Sequence, residues 1–275
     1  MMKFSVTFTP TDKSFYVTRK NRALTYDIGR EEKLATKCKH CPLRGRDQFV
    51  PMSQDEVSAM QRFKVGELIV DAGAPILMQG SNSPQLFTAL HGMGLRYKFL
   101  ENGKRQVVNF ILPGDFIGLQ AGVMGEMGHS VEATTKMTLC VFNRSAIWSF
   151  FKDNPERAFA LTWLAAVEEH FLGDALATVG QRTALQSVAW ALAKVYLRGE
   201  QLDMVSKSQM PLPFRQQDLA DALGLSLVHT NKKLATLRNR QLAQWSDGVL
   251  SIADIDKLAE IAMMDDTTVP QRPIL

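Results

Sequence analysis

The sequence predicts an α+β fold in which an antiparallel β-barrel or roll precedes a long helix and a small helical domain. Between about residue 38 and residue 150, short apolar runs alternate with Gly, Pro, Asn and Asp. Such runs are typical of antiparallel strands joined by tight turns. From Pro155 onward glycines are sparse, and apolar residues recur with the period of a helix. We therefore expect a sheet domain followed by a helical domain.

Composition and length narrow the class of protein. The chain has 275 residues, enough for two domains with their own cores, and a formal net charge of +4. No apolar run approaches the roughly 18 residues of a membrane span, and the first residues lack the apolar region of a secretory signal. The three cysteines are an odd number, which favours a reducing compartment over a disulfide scaffold. These observations predict a cytoplasmic protein without a membrane partner.

Changes in composition and periodicity divide the chain into five parts. The first is polar and without sustained periodicity, so we expect a flexible or loosely docked tail. In the second, Asn102-Gly103 predicts a hairpin turn between two strands. The predicted parts are a tail over 1–36, a β-roll over 37–152, a long helix over 153–184, a helical domain over 185–262 and a C-terminal tail over 263–275.

The long helix is predicted to open with Pro155 in its first turn, and Gly173 interrupts it at a tolerable cost. About 25 residues is long for a core helix in a chain of this size. Its apolar stripe is predicted to pack against the same helix of a second subunit, forming a homodimer. A further helix is predicted over about 182–198, with Gly199 as its C-cap.

The segment Pro213–Asn239 has the pattern of two short helices joined by a turn at Gly224. Ser226 stands at the N-cap of the second helix. The predicted inward stripe of that helix is Thr230, Leu234 and Leu237. The opposite face carries Leu227, Val228, Asn231 and Lys232. This face suits a DNA major groove, although an ordinary helical hairpin with a solvated face has the same spacing.

Two features after this helix pair favour DNA binding. Asp247-Gly248 separates two short apolar-rich runs and predicts a hairpin, which at this place is a wing. Cations cluster in or after the second helix, where they can meet phosphates: Lys232, Lys233, Arg238 and Arg240. The sequence therefore predicts a winged helix–turn–helix with double-stranded DNA as its partner.

Three segments in this order resemble the Crp/Fnr family of bacterial transcription regulators. They are PGDFIGLQA (113–121), VGQRTALQSVAWALAKVYL (179–197) and FRQQDLADALGLS with NKKL (214–234). The resemblance covers about residues 37–262. It implies a roll like that of cyclic-nucleotide-binding domains, a homodimer on a two-fold symmetric operator, and contact with RNA polymerase. The sequence shows no nucleophile–base pair, no P-loop and no paired carboxylates, so catalysis is not expected.

The recognition helix departs from the family's pattern. Val228 replaces a glutamate that accepts hydrogen bonds from bases in the best-known members, and a valine can only pack on a thymine methyl. Asn231 can pair with adenine, and Lys232 keeps a cation where the family has arginine. The operator is thus expected to differ from the usual half-sites. The predicted DNA-contacting residues are Ser226, Leu227, Val228, His229, Asn231, Lys232, Lys233 and Arg238.

The effector is harder to predict. Family members that bind cyclic AMP hold its phosphate with an Arg-Ser or Arg-Thr pair and its ribose with a glutamate. Here His129-Ser130 stand at the first place, and Ile117–Ala121 contains no glutamate, so cyclic AMP is disfavoured. Haem is a further alternative, with His91, His129 or Met93 as axial ligands. The roll can also lack a small-molecule signal altogether.

The cysteines leave several interpretations open. Iron–sulfur members of the family carry an N-terminal cysteine cluster and one cysteine in a late strand, which Cys38, Cys41 and Cys140 match in part. The position of a further ligand is occupied by Asp47, so a four-thiolate cluster is incomplete. A zinc site, a His40 ligand, a redox-active dithiol and a purely structural role are alternatives.

Two other classes of function remain as alternatives. A thiol oxidoreductase would use Cys38-x-x-Cys41, but no βαβ pattern surrounds the motif. A redox- or metal-responsive β-roll protein could instead act through a protein partner, without sequence-specific DNA binding. The loss of the glutamate at Val228 favours that second alternative.

Overall fold

The computed structural model describes residues 35–275 and, before them, only the backbone of two strands. These are β1 (Tyr16–Arg19) and β2 (Arg22–Thr25), which pair antiparallel. The other residues of the predicted tail up to 34 lie outside the described residues. Residues 36–275 form one compact unit, and the following paragraphs concern that unit.

The N-terminal half of this unit is an antiparallel roll, as predicted. A 3-10 turn (Cys38–His40) and the helix α1 (Gln54–Phe63) precede eight strands. The strands are β3 (Lys64–Val70), β4 (Pro75–Leu77), β5 (Gln85–His91), β6 (Gly94–Phe99), β7 (Arg105–Ile111), β8 (Phe116–Ile117), β9 (Ser130–Ala133) and β10 (Met137–Asn143). They form two four-stranded sheets in the orders β3-β10-β5-β8 and β4-β9-β6-β7. Alternating apolar residues such as Ile111, Val131 and Leu139 are fully buried, so they form the core of the roll.

The predicted hairpin at Asn102-Gly103 is confirmed. It joins β6 and β7, with Phe99 paired to Arg105. The Asn102 side chain accepts a hydrogen bond from the Lys104 amide, and Gly103 adopts a φ of 78°. Asparagine and glycine supply the local hydrogen bond and the positive φ that such a turn needs.

Four further helices pack with the roll, one between β8 and β9 and three after β10. They are α2 (Leu119–Met124), α3 (Ile147–Asp153), α4 (Pro155–Gln181) and α5 (Ala184–Gln201). The predicted long helix is confirmed as α4, 27 residues that begin at Pro155. Its first half buries Leu161 and Leu164 against the roll. A break at Arg182–Thr183 separates α4 from α5, where Thr183 and Gln186 form a capping box.

The predicted C-cap at Gly199 is wrong, because α5 continues to Gln201. Gly199 serves a packing role instead. A Cβ at this position would lie 2.6 Å from Cε of Met210, closer than real Cβ contacts allow. The glycine thus admits a side chain from the strand that follows.

The C-terminal domain contains β11 (Gln209–Pro211), α6 (Gln216–Leu223), α7 (Leu227–Asn239), β12 (Ala243–Ser246), β13 (Val249–Ile252) and α8 (Ile255–Ala262). Its sheet has the order β11-β13-β12. Asp247 and Gly248 have φ angles of 52° and 73°, which fits the two-residue hairpin predicted there. Two helices followed by this sheet confirm the winged helix–turn–helix.

The predicted C-terminal tail, residues 263–275, returns to the roll. Arg272 forms a parallel bridge with Phe49, and the side chains of Ile274 and Leu275 are buried. Within residues 35–275, no helix is long and apolar enough to cross a membrane.

Candidate nucleic-acid interface and sensor cavity

The turn between α6 and α7 sets the direction of the second helix. Gly224 adopts a left-handed φ of 66°, and its amide donates to the Ala220 carbonyl at the end of α6. Ser226 then caps α7, its Oγ accepting from the His229 amide at 3.2 Å. Both local predictions, the glycine turn and the serine cap, are confirmed.

The inward face of α7 fixes its rotation about its own axis. Thr230 and Leu237 have no exposed surface, and Leu234 is half-buried. The Thr230 hydroxyl donates to the Ser226 carbonyl at 3.1 Å, which satisfies this buried polar group. Leu237 belongs to the core shared with Leu219 and Leu223 of α6. The predicted apolar stripe therefore holds α7 against the domain.

The outward face of α7 is open. Val228 is 81% exposed, and the other predicted groove-facing residues, Leu227, Asn231 and Lys232, are exposed beside it. Ser226, His229 and Arg238 are exposed as well, whereas Lys233 is half-buried. A helix that presents apolar, amide and cationic groups on one free face has the surface that a major groove accepts.

An ion-pair cluster that the sequence did not reveal anchors α6 to the roll. The buried carboxylate of Asp218 accepts from the Arg215 amide and guanidinium, both at 2.9 Å. Arg105, on β7 of the roll, also binds Asp218, and it contacts Asp221 at 2.8 Å. Burial raises the pKa of Asp218, but the hydrogen bonds from Arg215 and Arg105 outweigh it and hold the pKa below its usual range.

A cavity of about 570 Å³ lies between the roll and the first half of α4. Gly118, Gln120 and His129, from the two segments in which an effector contact is expected, line it. Apolar side chains from α2 and α4, including Met124 and Leu164, line the rest. A mostly apolar cavity with a few polar groups is the usual form of a small-molecule site.

The arginines that line this cavity are all engaged by carboxylates. Arg96 contacts Glu168 of α4 at 2.9 Å and donates to the Phe116 carbonyl at 2.8 Å. Asp115 binds the other two, Arg198 of α5 and Arg272, each at 2.8 Å. A phosphate entering here would meet guanidinium groups that already have partners.

The residues at the family's phosphate-binding place also fit poorly with a phosphate. Burial lowers the pKa of His129 to about 4, and the positive charge of Arg96 acts in the same direction, so this imidazole is neutral at pH 7. Ser130 is buried, and its hydroxyl accepts from the Gln79 amide at 3.0 Å. These contacts favour the expectation that cyclic AMP is not the ligand.

The three cysteines are half-buried, and the charge of Lys64 acts on two of them, Cys38 and Cys140. The Nζ of Lys64 contacts Glu67 at 2.7 Å and donates to the Thr36 carbonyl at 2.7 Å. Burial raises the pKa of the Cys38 thiol and raises that of Cys140 to about 11, against the opposing effect of Lys64.

In the part of the chain that the structure describes, no group of three or more His, Cys, Asp or Glu side chains is arranged to hold a metal ion. The metal site at Cys38, Cys41 and Cys140 stays a prediction. The haem alternative gains no support either, since His91 is exposed at the end of β5 while Met93 is buried in the core.

The fold and the open face of α7 define a winged helix–turn–helix DNA-binding protein with a β-roll domain. Comparison with known proteins agrees. The model of the cyclic nucleotide-binding domain matches residues 67–154, and that of the Crp-like helix-turn-helix domain matches residues 186–261.

The chain is 30% identical over 177 residues to the nitrogen fixation regulation protein FixK of Rhizobium meliloti, covering 64% of this chain and 76% of that protein. It is 26% identical over 231 residues to FixK of Bradyrhizobium diazoefficiens, covering 82% and 93%. The transcriptional activator protein FnrL of Cereibacter sphaeroides is 23% identical over 219 residues, covering 78% and 84%. Among solved structures, FixK2 from Bradyrhizobium japonicum superposes with a TM-score of 0.63 at 22% identity, covering 71% of this chain and 96% of that chain.

The chain belongs to the Crp/Fnr family of bacterial transcription regulators. It is a DNA-binding transcription regulator and not an enzyme.

Proposed function

We propose that this regulator acts in the cytoplasm as a homodimer that binds a two-fold symmetric operator, with α7 of each subunit in a major groove. RNA polymerase is the further partner when the operator lies upstream of a promoter. The observation that carries the proposal is the free outward face of α7, on a helix held in place by the buried side chains of Thr230 and Leu237. A buried stripe and a capped start give the helix the rigidity that base recognition requires.

The second half of α4 supports a dimer. Leu172, Leu176 and Val179 are spaced at i, i+4 and i+7, and Leu176 is 75% exposed. Apolar residues at this spacing form one stripe along a helix, and leaving such a stripe in water is unfavourable. A second α4 packed along this stripe would cover it and place the two α7 helices on the same side of the dimer.

The side chains of α7 suggest how bases are recognised. Asn231 has the amide that forms a bidentate pair with adenine, and Val228 has only methyl groups, which fit against thymine. Lys232 adds a cation without the planar fork of arginine. Ser226, His229, Lys233 and Arg238 lie along the same helix and contact phosphates. We therefore expect an operator with A·T pairs at the positions facing Asn231 and Val228.

The test begins with selection of bound duplexes from a random DNA pool, which defines the operator. Asn231→Ala is then expected to weaken operator binding by about 5- to 150-fold, corresponding to about 1–3 kcal/mol for a bidentate base contact. It should also relax the preference for adenine at one position. Asn239→Ala is the matched control, because Asn239 is exposed at the far end of the same helix. Equal affinities for the two variants would show that Asn231 does not face the bases.

Lys232 tests the electrostatic contribution. Lys232→Ala is expected to lower affinity for specific and nonspecific DNA alike and to reduce the salt-dependence slope by about 1. Lys257→Ala on α8 is the control, since its exposed ammonium pairs with Asp254 at 3.0 Å. An unchanged slope for Lys232→Ala would remove this residue from the interface.

The dimer is tested separately by sedimentation. Leu176→Asp places a charge in the proposed α4 stripe and is expected to yield monomers at micromolar concentration. Trp148→Asp is the control, because Trp148 is 78% exposed on α3, outside α4. If Leu176→Asp sediments like the wild type, the proposed interface is wrong.

The cysteine prediction has its own test. Iron and zinc are measured in protein purified without oxygen, together with its visible absorption. Stoichiometric iron with a broad band near about 400 nm would indicate a cluster bound by thiolates. A colourless and metal-free protein that binds its operator would leave Cys38, Cys41 and Cys140 as structural or redox-active residues.

A further inference from the structure

The segment after α8 packs against α5 and the roll. We call residues 264–275 the strap; they lie outside the matched Crp-like helix-turn-helix domain, which covers residues 186–261. The strap first crosses α5, where Gln201 donates to the Val269 carbonyl at 2.6 Å. It then reaches the roll, where Gln271 donates to the Asp47 carbonyl at 2.7 Å.

Arg272 fixes the strap to the roll through its backbone and its side chain. Its amide donates to the Gln48 carbonyl at 2.8 Å, and its carbonyl accepts from the Val50 amide at 3.0 Å. Its guanidinium contacts Asp115 at 2.8 Å. Asp115 also binds Arg198 of α5. One carboxylate of the roll therefore holds both the strap and the first helix of the DNA-binding half.

The residues beyond Arg272 are built into the core. Leu275 is 7% exposed and belongs to a cluster with Met60 and Phe63 of α1 and Leu164 of α4. The Thr88 hydroxyl of β5 also donates to the Leu275 carbonyl. Burial of an apolar side chain among residues of the roll and α4 is favourable. The strap is therefore docked by packing as well as by charge.

The strap connects the two parts of the protein that the break between α4 and α5 separates. The roll and α4 lie on one side of Arg182–Thr183, and the winged helix–turn–helix lies on the other. The same two bodies are joined by the Arg105 contacts to α6, and by Gln106, which donates to the Ala222 carbonyl at 3.0 Å. Rotation about the break requires the strap to slide or to leave its site.

We infer that the strap is an intramolecular clasp that holds the winged helix–turn–helix against the roll and preorganises it for the operator. This inference rests on the proposed function. In the strapped arrangement the outward face of α7 is exposed, so docking of the strap leaves the recognition surface accessible. A domain held in one orientation loses less freedom on binding than a domain that rotates about a hinge. Release of the clasp lowers affinity without touching a DNA contact.

The test uses the full chain with three substitutions in the strap: Arg272→Ala, Ile274→Ser and Leu275→Ser. Hydrogen exchange is expected to rise at residues 47–50 and 112–116, while the amides of α7 keep their protection. If release reduces the binding-competent orientation to about a tenth, the apparent Kd for the selected operator rises about tenfold. Thr268→Ala is the matched control, because this exposed strap residue forms its hydrogen bonds with Asp266.

The outcomes separate the clasp from the function on which it rests. A wild-type protein without operator specificity would refute the proposed function, whatever exchange shows about the strap. Wild-type specificity combined with faster exchange and an unchanged Kd in the triple variant would overturn the clasp. Tighter binding would overturn it too, since preorganisation predicts the opposite sign.

A single substitution tests the clasp if the triple variant loses hydrogen-exchange protection throughout the protein. Arg272→Ala keeps Ile274 and Leu275, and it is expected to raise the apparent Kd by about threefold through a smaller loss of the competent orientation. Arg272→Lys, which keeps the positive charge beside Asp115, should recover part of that loss. Equal Kd values for Arg272→Ala and the wild type would overturn the clasp.

Discussion

Replacement of Asp115 by asparagine tests the ion-pair network that joins the roll to the C-terminal half. The Asp115 side chain is 7% exposed. Both of its oxygens accept from Arg198 at 2.8 Å, Oδ1 also accepts from Arg272 at 2.8 Å, and Oδ2 accepts from the Leu112 amide at 3.0 Å. Asparagine keeps the shape but removes the charge, and it leaves two largely buried guanidinium groups without a carboxylate.

The expected cost follows from these contacts. Removing one partner of a buried ion pair typically costs about 3–5 kcal/mol, because the remaining charge stays buried without compensation. Since the Arg198 side chain is 23% exposed and water can reach it, we expect the lower end, about 3 kcal/mol in the free energy of unfolding. Urea unfolding at pH 7, followed by fluorescence and circular dichroism, measures this difference.

The pH dependence gives the same prediction a second readout. Burial raises the pKa of Asp115, but Arg198 and Arg272 outweigh it and hold the pKa well below the ordinary 3.8. A carboxyl group with a lowered folded pKa stabilises the protein above the unfolded pKa, and this contribution is lost as the pH falls. The difference in unfolding free energy between wild type and Asp115→Asn should therefore have its full value at pH 7 and begin to decrease below about pH 4.

The control for this experiment is Asp203→Asn. Asp203 is 77% exposed and lies 4.0 Å from Arg46, so its loss should cost about 0–1 kcal/mol. A cost below about 1 kcal/mol for Asp115→Asn at pH 7 would refute the argument that its two arginines depend on it. If this difference in unfolding free energy stays constant down to pH 3, the negative charge of Asp115 is not its cause.

Three further predictions concern the cavity and the recognition helix. His129, with its pKa lowered from 6.5 to about 4, makes the folded protein lose stability as the pH falls from 6.5 toward 4; His129→Gln should remove this loss, as measured by urea unfolding across that range. Leu237→Ala in the buried face of α7 should cost about 2–5 kcal/mol in unfolding free energy, whereas Leu227→Ala on its exposed face should cost little. Ser226→Ala removes the cap of α7 and should cost about 1 kcal/mol, with a matching rise in hydrogen exchange at the His229 amide.

Local signals predicted much of this structure. The turn at Asp247-Gly248 has a positive φ at both residues, and the turn at Asn102-Gly103 has one at Gly103. Asn, Asp and Gly tolerate these angles, so both turns can be predicted from the residue types alone. The rotation of α7 follows from the spacing of Thr230 and Leu237, because a 3.6-residue period is a property of the helix alone.

The tertiary ion pairs could not be predicted in the same way. Asp115 lies 83 residues from Arg198 and 157 residues from Arg272 along the chain, and no periodicity connects them. The role of Gly199 could not be predicted from the sequence either. A glycine near the expected end of a helix fits a C-cap, but the structure uses it to admit Met210 from the next strand. Only the packing of separate elements distinguishes these roles.

The cavity lies in a roll of the family's fold, but the charged groups that line it do not suit a phosphate. Three arginines and three carboxylates line it, and His129 is neutral at pH 7, so the lining has no net formal charge. A cyclic nucleotide is an anion, and to be held by Arg96 it would have to draw that guanidinium away from Glu168. Since separating a buried ion pair is costly, a neutral and largely apolar ligand fits this lining better than a phosphate does. A ligand of that kind would act on α4 through packing, on the same helix that we propose as the dimer interface.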